Sequence, residues 1–119
     1  QEERNKTMAP YFHQPEALVR FSEEKMVKVN LYESPRMFCD VYCLRPGQEQ
    51  KEHTHAGNDK IYYMLSGTCQ ARIGEEIRTL AAGQLAVAPA GMIHGVRNES
   101  AEEAVLLVIM APHPDLSRA

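Results

Sequence analysis

Turn residues cut most of this chain into short apolar runs, which leaves little room for any regular element except the β-strand. Met26–Leu31 is stopped by Ser34-Pro35, Met37–Leu44 by Pro46-Gly47, and Ile61–Leu65 by Ser66-Gly67. Thr68–Ile73 and Glu76–Leu80 flank Gly74-Glu75, a pair that predicts a tight hairpin. Leu85–Ala88 ends at Pro89-Ala90-Gly91, and Ala104–Met110 ends just before Pro112. The runs are rich in β-branched and aromatic residues, which fit a pleated, half-buried surface. Turn signals recurring every ~8–12 residues predict about eight short strands in a sandwich or barrel. No segment sustains the i, i+3, i+4 apolar period of a helix. The predicted fold class is all-β.

The same punctuation divides the chain. Residues 1–24 are polar, carry Pro10 and Pro15, and predict an N-terminal arm with one short segment at Ala17–Phe21. Residues 25–112 form the barrel and 113–119 a tail. A chain of 119 residues is one domain that buries roughly two-thirds of its unfolded surface, so it needs no metal in order to fold. The net charge is −3 and no two Lys or Arg residues are adjacent, which argues against a nucleic-acid partner. The longest apolar stretch, Ala104–Ala111, is too short to cross a bilayer, so no membrane partner is expected. Gln1–Lys6 lacks the apolar region of a signal peptide, and the absence of an initiator Met leaves room for a missing start or leader. Cys39 and Cys43 would lie about 13 Å apart on one strand, beyond bridging distance, and Cys69 is left over. Cysteine usage therefore points to a reducing cytoplasm.

The chemistry concentrates at His53-Thr54-His55. On a strand, residues i and i+2 face the same way, so the two imidazoles converge on one point. Imidazole is a common ligand for divalent transition metals. Taken alone, the pair fits a solvated surface strand better than a metal site.

The surrounding frame decides between the two. Gly47 is followed by five residues, His53-Thr54-His55, four residues, Lys60, six residues and Gly67. Fifteen intervening residues lead to Gly83, then five residues, then Pro89-Ala90-Gly91-Met92-Ile93-His94-Gly95-Val96-Arg97-Asn98. This arrangement resembles the two signature motifs of the cupin superfamily over roughly residues 36–111. The second motif matches at every fixed position, and the first at all but one. The resemblance implies a double-stranded β-helix, or jelly-roll barrel, in which His94 joins His53 and His55 across the interior to hold a metal. It also implies that Asn98, Gly47, Gly67, Gly83 and Gly91 are structural. The implied cofactor is a divalent transition metal, Fe(II) first, with Mn, Ni or Zn as alternatives.

The departure lies at Lys60, where the family usually supplies a glutamate ligand. The run Ile61–Gly67 fixes the register, because a one-residue slip would turn the strand inside out. Lys60 is therefore expected to face inward and Asp59 outward. At about 4 Å a single positive charge and a divalent ion repel by roughly 2 kcal/mol in water and about 8 kcal/mol at an effective dielectric of 20. An inward lysine thus weakens or abolishes metal binding, loses its proton, swings out of the pocket, or recruits an anion. Lys60 is a candidate catalytic base or Schiff-base amine, set against a lysine that merely reaches solvent or pairs with an acid. Tyr62 and Met64 share its strand face, and Tyr62 is a candidate proton donor or plain cavity wall. His13 and His113 fall in proline-rich ends and are expected to be solvated.

Two functional readings follow. In the first, a metal-dependent cupin acts on a small anionic organic molecule, with dioxygenase chemistry as the leading enzymatic expectation because cupin dioxygenases include three-histidine sites. In the second, the same pocket binds or senses a small ligand without catalysis. An exposed sheet edge supplied by residues 17–32 further predicts a homodimer.

Overall fold

The computed structural model describes residues 11–116. Residues 1–10 and 117–119, parts of the predicted arm and tail, lie outside the described residues. The described chain carries one 3-10 turn, Pro15–Leu18, and nine strands. These are β1 Val27–Ser34, β2 Met37–Leu44, β3 Glu49–His53, β4 Asp59–Ser66, β5 Thr68–Ile73, β6 Glu76–Ala81, β7 Leu85–Ala88, β8 His94–Arg97 and β9 Ala104–Ala111. The expected hairpin is present, with Ile73 opposite Glu76 across Gly74-Glu75.

The strands form two antiparallel sheets, β1-β2-β9-β4-β7 and β3-β8-β5-β6, so β1 and β3 are edge strands of different sheets. The interleaved order is that of a jelly roll, because consecutive strands repeatedly cross from one layer to the other. Between the layers, Tyr42, Leu44, Tyr62, Met64, Leu106 and Val108 are buried together with Cys69, Leu80 and Val96 from the opposite sheet. The continuous apolar sequence of β9 has a direct cause. Leu106 and Val108 face this core, while Val105 joins Val41 and Cys43 in a second cluster. Val19 and Phe21 pack onto that second cluster, so the inner end of the N-terminal segment is docked rather than loose. A strand covered on both faces loses the usual polar alternation.

Gly67 links β4 to β5 at φ +74°. A Cβ there would collide with the backbone carbonyl oxygen of Glu103, which cannot swing aside as a side chain can. Strain and collision act together, so Gly67→Ala is expected to cost about 2–4 kcal/mol, read from urea unfolding midpoints.

Candidate metal centre

The register of β3 and β8 brings two of the predicted ligands face to face. His53 closes β3, His94 opens β8, and their Cα atoms are direct cross-strand partners. His55 lies beyond the end of β3, so the strand-parity argument applies to His53 alone. Its loop is held another way: Gly91 N–H donates to the His55 carbonyl at 2.8 Å, tying it to the Pro89–Gly91 turn. Asp59 Oδ1 accepts from Ala90 N–H at 2.9 Å and pins the same turn from β4.

The three rings converge. Centroids are 4.6 Å apart for His53–His55, 4.6 Å for His53–His94 and 5.7 Å for His55–His94. One ring nitrogen from each lies within 4.8 Å of the others. His53 Nδ1 is 2.7 Å from the Lys51 carbonyl and His94 Nδ1 is 2.9 Å from the Met92 carbonyl. A carbonyl accepts only, so Nδ1 carries the proton in both and Nε2 keeps its lone pair, an arrangement typical of metal-ligating imidazoles. Burial is the main cause lowering the pKa of both His55 and His94, which favours the neutral, ligating form.

The fit to a metal is tested most directly at His94 Nε2. Among the described residues it is buried and has no hydrogen-bond partner. Leaving a buried polar atom unpaired costs about 1–3 kcal/mol, and a cation at the convergence point removes that cost. The donor set suits a divalent transition metal.

Lys60 is directed inward, 2% exposed, while Asp59 beside it is exposed. Its Nζ lies 5.5 Å from the centre of the Tyr42 ring and 5.2 Å from that of Tyr62. Among the described residues it makes no hydrogen bond or ion pair. Burial first, and Lys28 second, push its pKa down to about 7, with Asp40 acting in the opposite sense. Tyr62 is fully buried, its ring 6.2 Å from that of His94. Its hydroxyl donates to Gln50 Oε1 at 2.7 Å, and Gln50 Nε2 donates to the Tyr42 hydroxyl at 3.3 Å. The Tyr62 proton is thus committed to Gln50 in this arrangement.

A cavity of about 370 Å³ opens over this group, lined by His53, His55 and Lys60 together with Lys28, Asp40 and Tyr42. The last three were not evident from sequence, because a charged or aromatic residue on an alternating strand has the same pattern whether its face meets solvent or a pocket. Asp40 is buried, accepts from Asn30 Nδ2 at 2.8 Å, and has its pKa raised chiefly by desolvation. Cys39 and Cys43 are not disulfide-bonded; Cys43 packs with Val41 on the sheet face opposite Tyr42.

His113 corrects the sequence reading. It is 7% exposed instead of solvated, and it lines the same cavity. Its Nε2 lies 3.0 Å from Glu33 Oε1, and its Nδ1 accepts the amides of Asp115 at 3.1 Å and Leu116 at 3.2 Å. The flanking Pro112 and Pro114 signal a constrained turn, which folds the ring back against Phe38. His13 is exposed.

Comparison with known proteins agrees with the fold. The protein TT1209 from Thermus thermophilus is 51% identical, with a TM-score of 0.85 over 87% of this chain and 98% of that one. A Klebsiella pneumoniae protein with a double-stranded β-helix domain is 24% identical, with a TM-score of 0.80 over 89% of this chain and 92% of that one. The polyketide synthase CurC of Streptomyces cyaneus is 32% identical over 82 residues, which cover 66% of this chain and 53% of CurC. The cupin domain family matches residues 40–110, and the chain belongs to that family.

Proposed function

We propose that this protein is a metal-dependent enzyme that acts on a small organic anion. The observation that carries the reading is the buried, unpartnered Nε2 of His94, placed with His53 and His55 around one point. His53, His55 and His94 would hold a divalent ion, which would supply Lewis-acid chemistry toward substrate oxygens and, if iron, chemistry with O₂, and this keeps a dioxygenase first among the reaction classes. Fe(II) is the first choice of metal, ahead of Mn, Ni and Zn. The backbone carbonyls of Lys51 and Met92 hold the His53 and His94 rings in the ligating tautomer. Lys60, without an anionic partner among the described residues, meets the acidic group of the substrate. Tyr62 holds Gln50, and through it the Tyr42 hydroxyl, in place. The homodimer belongs to the same proposal, supported by the apolar row Val29, Leu31 and Leu107, which is only partly buried on the outer face of the larger sheet.

Elemental analysis of untagged protein tests this. Near-stoichiometric transition metal is expected, reduced at least about tenfold in His94→Ala. Oxygen uptake against a panel of small organic acids then tests the oxygenase class. One feature favours the rival reading of a non-catalytic binding or sensing module, namely a lysine beside the three imidazoles where the family usually places a carboxylate. Metal-free protein, even after reconstitution with Fe(II), Mn, Ni and Zn, would decide for that rival.

A further inference from the structure

The wall of the cavity built by β1 and β2 carries groups that the metal centre does not use. Lys28 stands exposed at the mouth, its Nζ 5.4 Å from the centre of the Tyr42 ring. Lys60 approaches the same ring to 5.5 Å from the buried side. Two amines thus share one tyrosine, and among the described residues neither has an ion pair or a hydrogen bond. The Tyr42 hydroxyl accepts from Gln50 Nε2, the Gln50 oxygen accepts from Tyr62, and the Tyr42 proton makes no hydrogen bond among the described residues.

Among the described acids on the same cavity Asp40 is the buried one, and Lys28 and Lys60 both act on it through space. Asp40 is held by Asn30 Nδ2, Glu33 by His113, and Asp115 lies exposed at the rim. The pairwise separations link the imidazoles to both amines: Tyr62 is 6.2 Å from His94, Lys60 Nζ is 5.2 Å from Tyr62 and 5.5 Å from Tyr42, and Lys28 Nζ is 5.4 Å from Tyr42.

We propose that Lys28, exposed at the rim of the cavity, and the Tyr42 hydroxyl, buried in its wall, form a second anion subsite, so that the substrate carries chelating oxygens at one end and a carboxylate a few carbons away. The inference rests on the metal-dependent reading above, which supplies the inner anchor. A carboxylate beside Lys28 receives a charge-assisted bond from its amine and a hydroxyl bond from Tyr42.

Calorimetric titration of the Ni(II)-loaded full chain separates the two ideas. The probes are a graded series of aliphatic hydroxamates, which chelate metal at one end and terminate in either methyl or carboxylate at the other. At one chain length the carboxylate-ended member is expected to bind about tenfold tighter than its methyl-ended partner. In Lys28→Met that ratio falls to about one, and in Lys28→Arg it is restored, since guanidinium also pairs with carboxylate. Because each ratio is taken within one variant, a general loss of folded protein cancels. Methyl-ended hydroxamates that bind with no carboxylate gain at any length overturn the second subsite and leave the metal centre standing. No hydroxamate binding at all overturns the metal centre, and this inference with it.

Discussion

Lys60→Glu is expected to tighten divalent-metal binding by at least about a hundredfold, measured by competition with a chromophoric chelator. Lys60 is 2% exposed and directed into the same cavity as His53 and His55. The substitution changes the charge facing a divalent ion by two units, so the product of charges changes by four. At about 5 Å each unit of that product is worth roughly 0.8 kcal/mol in water and about 3 kcal/mol at an effective dielectric of 20. A hundredfold change is about 2.7 kcal/mol, near the lower of these bounds. The lower bound applies because Lys60, with its pKa pushed down to about 7, is partly neutral at the pH of the measurement. The new carboxylate also becomes a candidate fourth ligand. Unchanged or weaker affinity would place Lys60 outside the field of the ion and remove it from the account of the site.

Lys60→Met gives the second large effect, on stability. The pKa of Lys60 is 10.5 in the unfolded chain and about 7 in the folded one, so the folded state disfavours its charged form. Below pH 7 both states carry the proton and the full penalty is present. Between pH 7 and 10.5 the folded state has released the proton while the unfolded state still binds it, so stability rises with pH. Above 10.5 the penalty is gone. The linkage is worth about 3–5 kcal/mol. Lys60→Met is therefore expected to be more stable than the parent by several kcal/mol at pH 6, with the difference shrinking steadily toward pH 10. Chemical denaturation at several pH values checks this, and a difference that does not vary with pH would mean that the amine reaches water.

Much of the fold was legible because turn residues and short β-branched runs leave few other solutions. The inward register of Lys60 was also legible, since the two-residue period from Ile61 to Gly67 admits only one orientation with Tyr62 and Met64 buried. His53 and His94 were accessible through motif spacing, and in the structure they stand opposite each other on β3 and β8. His55 reached its position by a route that parity did not describe, through a loop tied to the Pro89–Gly91 turn. Lys28, Asp40 and Tyr42 remained hidden because their role depends on how β1 and β2 stand against β3, a long-range fact with no local signature. His113 was misread for a related reason. Proline-rich ends are commonly solvated, and only the contact with Glu33 and Phe38 shows that this one turns back.

The imidazoles and the lysines belong to different layers. His53 comes from β3 and Lys28 from β1, and each of these strands has a neighbour on one side only within its sheet. A guest that touches both groups therefore acts as a clasp across the lip of the sandwich, at the place where each sheet is least supported by its own ladder. Ligand present at about a hundred times its dissociation constant adds about 2.7 kcal/mol to the folded state. Here that energy resists the parting of two layers instead of being spread through the core. Breathing of the sandwich at this end and escape of the guest are then one motion, so the lifetime of the complex and the rigidity of the two edge strands should rise and fall together.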